Sequence, residues 1–109
     1  MSDNEIKKGV ALDIPDLAAV QDGAVVSRTV LDRETGSVTL FAFDEGQGLS
    51  EHTAPYDALV YVLEGALDIR IAGETARVKE SQAIIMPANE PHALTAETRC
   101  RMLLVMIRS

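Results

Sequence analysis

The pattern of apolar residues along this chain is that of strands, in part alternating, rather than of helices. Residues 24–31 (AVVSRTVL) and 37–44 (SVTLFAFD) are β-branched and partly alternating. The RETG that joins them ends in Gly36, which suits a hairpin turn. The run ALDIRIA, 66–72, alternates apolar with charged residues as a half-exposed strand does, and Ala72-Gly73-Glu74 turns the chain into TARVK. Three runs do not alternate: ALVYVL (58–63), AIIM (83–86) and MLLVMI (102–107). Strands apolar on both faces must be covered on both faces. A lone sheet cannot do that, whereas a barrel or sandwich with an outer layer can.

The one helical candidate is short. Asp13 is placed to cap a turn or two through DIPDLAAV, with Pro15 near the first helical position. No linker, internal repeat or low-complexity tract interrupts the pattern. Roughly eight to ten short strands with brief turns predict an all-β barrel or jelly roll.

Composition narrows the reading. At 109 residues the chain predicts one domain, 1–109, with residues 1–8 expected as a loose N-terminal tail. Seventeen acidic against ten basic residues give a net charge of −7. That argues against nucleic acid, which needs clustered Lys and Arg, and against an anionic membrane surface. The longest apolar run, Met102–Ile107, is far short of the roughly 20 residues that span a bilayer. The opening MSDNEIKK has no apolar stretch of the secretory kind, and the single cysteine, Cys100, suits a reducing compartment. Cys100 reads as a small buried hydrophobe, and a cytoplasmic location is expected.

Candidate chemistry rests on the two histidines, His52 and His92. The first lies in GQGLSEHTAPYDALVYVLEG (46–65) and the second in ESQAIIMPANEPHALTA (80–96). Spacing alone does not bring them together. No nucleophile elbow accompanies Ser50 and His52, and GQG lacks the Lys and helix start of a phosphate loop.

Both segments resemble the paired motifs of the cupin superfamily, small double-stranded β-helix barrels. Gly46, His52 and Gly65 keep the intervals of the first motif, and Pro87 and His92 keep those of the second. The departures bear on chemistry. Ala54 and Ala58 stand where the family has the second His and the Glu of its metal site; Glu80, Asn89 and Ala96 stand for Gly, Gly and Asn. Asn89 is benign, because Asn tolerates the left-handed backbone of a turn glycine.

The resemblance implies a metal held by three His and one Glu, of which only His52 and His92 survive. Catalytic sites normally use at least three protein ligands. No cofactor is therefore favoured; a divalent metal would rest on His52 and His92 with waters or another group. Asp57 and Glu51 are poor substitutes, since strand neighbours point to opposite faces.

Losing two large polar side chains predicts an enlarged interior. By alternation Ala54, Ala58, Val60 and Val62 line it with His52, facing His92, Leu94 and Ala96. Such an apolar pocket with two imidazoles predicts small-molecule binding. The alternatives are a metal-dependent oxygenase, isomerase or decarboxylase and a dimeric scaffold without ligand. The methionines read as gap fillers, and Tyr56, Tyr61, Phe41 and Phe43 as core or interface. A homodimer is expected, with Leu59, Tyr61 and Leu63 on its buried outer surface.

Overall fold

The structure is a computed structural model that describes residues 6–108. Residues 1–5 of the expected tail lie outside it. After one 3-10 turn at Ile14–Leu17 come nine strands. They are β1 (Val25–Arg33), β2 (Gly36–Phe43), β3 (Gly48–His52), β4 (Ala58–Glu64), β5 (Ala66–Ile71), β6 (Glu74–Lys79), β7 (Ala83–Met86), β8 (His92–Ala96) and β9 (Cys100–Ile107).

The strands form two antiparallel sheets, ordered β1-β2-β9-β4-β7 and β3-β8-β5-β6. The chain crosses repeatedly from one sheet to the other, which makes a jelly-roll barrel, as the alternating pattern predicts. One set of alternate residues from each strand meets between the sheets. Val60, Val62, Leu67, Ile69, Phe43, Cys100 and Met102 are fully buried there. Phe41 stacks on Phe43 at a centroid distance of 5.8 Å. Burial pushes the Cys100 thiol up to about 11, so it behaves as a hydrophobe rather than a nucleophile.

The non-alternating strands have a second reason. A smaller cluster on the outer face of the five-stranded sheet buries Leu40, Ala42 and Ala18, with Ile14, Leu17, Leu63 and Leu103 packed around them. Thus the chain's own N-terminal segment covers Leu63, and Arg101 anchors it by donating from Nε to the Ala18 carbonyl at 2.8 Å. The segment makes a 3-10 turn rather than an α-helix, and Asp13 provides no side-chain cap; Pro15 sits in its first turn. The rest of the face is open. Ile85, Leu59, Val105, Val38 and Leu31 stand in one cross-strand row over five strands.

Three local features differ from the sequence reading. Gly36 lies inside β2, where an added Cβ would sit 2.8 Å from the Met106 carbonyl oxygen; it permits close strand approach rather than a turn. The residues that lead into His52 form a strand, β3, which starts at Gly48, after the turn at Gly46. The left-handed residue before β7 is Ser81 (φ 68), so Ser81 and not Glu80 occupies the turn-glycine position. Asn89 does adopt the left-handed backbone (φ 68), and its N–H donates to the Ala54 carbonyl at 2.8 Å.

Candidate functional site

Strand pairing brings the two histidines together. β3 lies antiparallel to β8, Leu49 opposite Leu94, and after a bulge His52 is opposite His92. Gly48 makes the pairing close, because a Cβ there would sit 1.9 Å from the Leu94 carbonyl oxygen. The Nε2 atoms of His52 and His92 are 3.0 Å apart. Their ring centroids are farther apart, at 4.3 Å, with the planes inclined at 74°. The two nitrogen-bearing edges therefore lean toward one another.

The backbone selects the tautomers. His52 Nδ1 lies 2.8 Å from the Ser50 carbonyl oxygen, and His92 Nδ1 lies 3.2 Å from that of Glu90. A carbonyl only accepts, so each Nδ1 carries the hydrogen and donates it. In the neutral rings both Nε2 atoms then present lone pairs to each other. Two lone pairs at hydrogen-bond distance repel, and a cation or a donor between them turns the repulsion into attraction. His92 is buried while His52 is exposed. Burial, followed by the charge of His52, holds the His92 imidazole below its ordinary pKa, which keeps its Nε2 lone pair available near neutrality.

The pair closes one end of a cavity inside the barrel. Of the residues expected to line it, His52, Ala54, Ala58, His92 and Leu94 do so. Val60 and Val62, expected beside them, are buried deeper in the core and do not reach the cavity, as is Ala96. Five further side chains line it: Leu49, Met86, Met102, Leu104 and Met106. Three of them recur at every second residue of β9, the alternation that marks its inward face. Met86 and Met106 are the cross-strand neighbours of Ala58 on either side. They share the cavity lining with Ala54 and Ala58. The volume open to the centre of a water molecule is about 20 Å³, space for a water or an ion.

The acidic candidates are elsewhere. The Asp57 carboxylate accepts the Ala88 N–H at 2.8 Å, and Glu51 pairs with Arg70 at 3.2 Å. Asp44 accepts from the Gly23 and Glu45 N–H groups and from Arg99 Nε at 3.0 Å. None lines the histidine cavity. Among the described residues no group of three or more His, Cys, Asp and Glu converges. The three-His, one-Glu centre implied by the resemblance does not fit this donor set. Nor, among the described residues, is any helix long and apolar enough to cross a membrane.

Comparison with known proteins bears on the family and the fold. The cupin domain family profile matches residues 39–106. A conserved protein of unknown function from Streptococcus pyogenes, SPY1581, is 38% identical with a TM-score of 0.90, over 95% of this chain and 91% of that one. A cupin 2 conserved barrel domain protein from Leptotrichia buccalis is 34% identical with a TM-score of 0.85, over 88% of this chain and 47% of that one. The polyketide synthase protein CurC of Streptomyces cyaneus is 34% identical over 59 residues, 53% of this chain. This chain spans only 38% of the CurC length. With most of its barrel matched and both histidines at motif positions, the chain belongs to the cupin domain family.

Proposed function

We propose that the barrel binds a very small ligand, a few atoms or a single ion, with the facing Nε2 atoms of His52 and His92 as its polar anchor. The observation that carries this reading is their 3.0 Å separation with both Nδ1 atoms committed to backbone carbonyls. Such a pair is incomplete without a cation or a donor between the rings. The surrounding wall is alanine, leucine and methionine, so the anchor is the one polar end of an apolar cavity. The small free volume favours an ion or a short polar group over a drug-sized molecule, whose sites run to about 300–1,000 Å³. An oxygenase, isomerase or decarboxylase reading needs further metal ligands of the usual kind, and the cavity lining offers no carboxylate.

Titration of ¹⁵N-labelled protein with ammonium, Zn(II) and Cu(I), followed at the imidazole resonances, tests the anchor. At least one probe shifts both rings in the wild type and leaves His92 unmoved in His52→Ala, a variant at an exposed position. Rings indifferent to every probe, or an equal response in His52→Ala, would contradict it.

The open apolar row on the five-stranded sheet supports a second element of the proposal, self-association. Ile85 is 65% exposed and Leu31 45%. A second copy laid on this face would remove both from water.

A further inference from the structure

Asp57 lies outside the histidine cavity, yet its contacts lead back to it. The geometry points to Asp57 as a positioning residue, one that fixes the tautomer of His92 through the turn preceding that ring. This inference rests on the anchor reading above and names a side chain on which the anchor depends.

Topology supplies the first step. The chain passes from the four-stranded sheet to the five-stranded one between β3 and β4, and back again between β7 and β8. The two crossings run side by side, because β3 pairs with β8 and β4 with β7. His52 closes β3 where one crossing begins, and His92 opens β8 where the other ends. Each ring thus sits where a strand gives way to a crossing.

Two hydrogen bonds tie the crossings together. The Asn89 N–H donates to the Ala54 carbonyl at 2.8 Å, and the Ala88 N–H donates to Asp57 Oδ1 at 2.8 Å. Ala88 lies beyond the end of β7, so no strand ladder satisfies its donor, and a charged acceptor makes the stronger bond. Asp57 is itself fixed to the five-stranded sheet: its carbonyl accepts the Ile107 N–H at 3.2 Å, and the next residue begins β4.

The consequence falls on His92. Its Nδ1 donates to the Glu90 carbonyl, two residues beyond Ala88 in the same turn, at 3.2 Å. Released from that carbonyl, the neutral ring gains by moving its hydrogen to Nε2, where it donates to the His52 lone pair 3.0 Å away. The Nδ1 tautomer therefore needs the turn held, and Asp57 holds it. His52 does not share this dependence, because its partner, the Ser50 carbonyl at 2.8 Å, belongs to its own strand.

The test is the long-range ¹H–¹⁵N spectrum of both rings near neutral pH, with thermal unfolding of each protein. It compares the wild type with Asp57→Ala, a truncation at an exposed position, and with Asp57→Asn. The wild type carries hydrogen on Nδ1 of both rings. In Asp57→Ala the single His92 tautomer is lost to a mixture of Nδ1–H and Nε2–H forms, while His52 keeps Nδ1–H. Asp57→Asn, whose amide oxygen still accepts from Ala88, restores the single His92 tautomer. If Asp57→Ala does not fold, Asp57→Ser takes its place, its hydroxyl one bond too short to reach Ala88. A folded variant with a lower unfolding temperature but both rings still on Nδ1 would overturn the inference and leave Asp57 a loop stabiliser. So would an Asp57→Asn protein that loses the His92 tautomer as Asp57→Ala does. In both cases the anchor reading stands, whereas wild-type rings that lack hydrogen on Nδ1 would bring down both.

Discussion

His52 and His92 illustrate how backbone placement turns common side chains into a site. Each ring spends Nδ1 on a carbonyl two residues upstream, so in the neutral ring it is Nε2 that carries the free lone pair. Asp44 is the contrasting case of a side chain held by structural partners. The Gly23 N–H, then Arg99, then the Glu45 N–H stabilise its carboxylate and hold it below the ordinary 3.8. A depressed carboxyl pKa contributes stability that is present above the unfolded value. That contribution is lost as pH falls through the lower folded value. Stability therefore declines as acid is added below about pH 4, and Asp44→Asn flattens that part of the profile. Chemical denaturation between pH 5 and pH 2, read as about the change in midpoint at each pH, checks it. An unaltered acid limb in the variant would show that the Asp44 contacts contribute nothing.

At the scale of elements, periodicity made most strands legible but not the reasons for their apolar outer faces. β5 announces itself because every second residue is charged or polar. β4 and β9 do not alternate, and Leu63 and Leu103 are covered by residues 14–20 of the same chain, a long-range contact that no local pattern carries. β3 escaped notice because Gly48 and polar residues resemble a loop. Only its pairing with β8 shows why a side-chain-free residue is needed under the Leu94 carbonyl. The same limit applied to the site. The two histidines and the alanines were readable from their motif positions. Yet alternation along β4 put Val60 and Val62 in the cavity, whereas both are fully buried in the core and outside its lining. Met86 and Met106 became site residues only through their register with Ala58.

For the molecule as a whole, two surfaces of one five-stranded sheet have different fates. Its inner face closes the barrel; its outer face is half covered by the N-terminal segment and half open. The open row of Ile85, Leu59, Val105, Val38 and Leu31 predicts a homodimer. Sedimentation at micromolar concentration is expected to return twice the 11.8 kDa chain mass, and Leu59→Lys with Ile85→Lys to return the single-chain value. A monomeric wild type would contradict this.

The account of the site turns on two bare, facing ring nitrogens. The long-range ¹H–¹⁵N spectrum of the histidine rings tests that most directly, recorded on ligand-free protein near neutral pH. Protonated Nδ1 on both rings, with Nε2 either lacking a proton or sharing one between them, is the predicted result. A bare Nδ1 on either ring would mean that its carbonyl contact does not set the tautomer, and would contradict the account at its base.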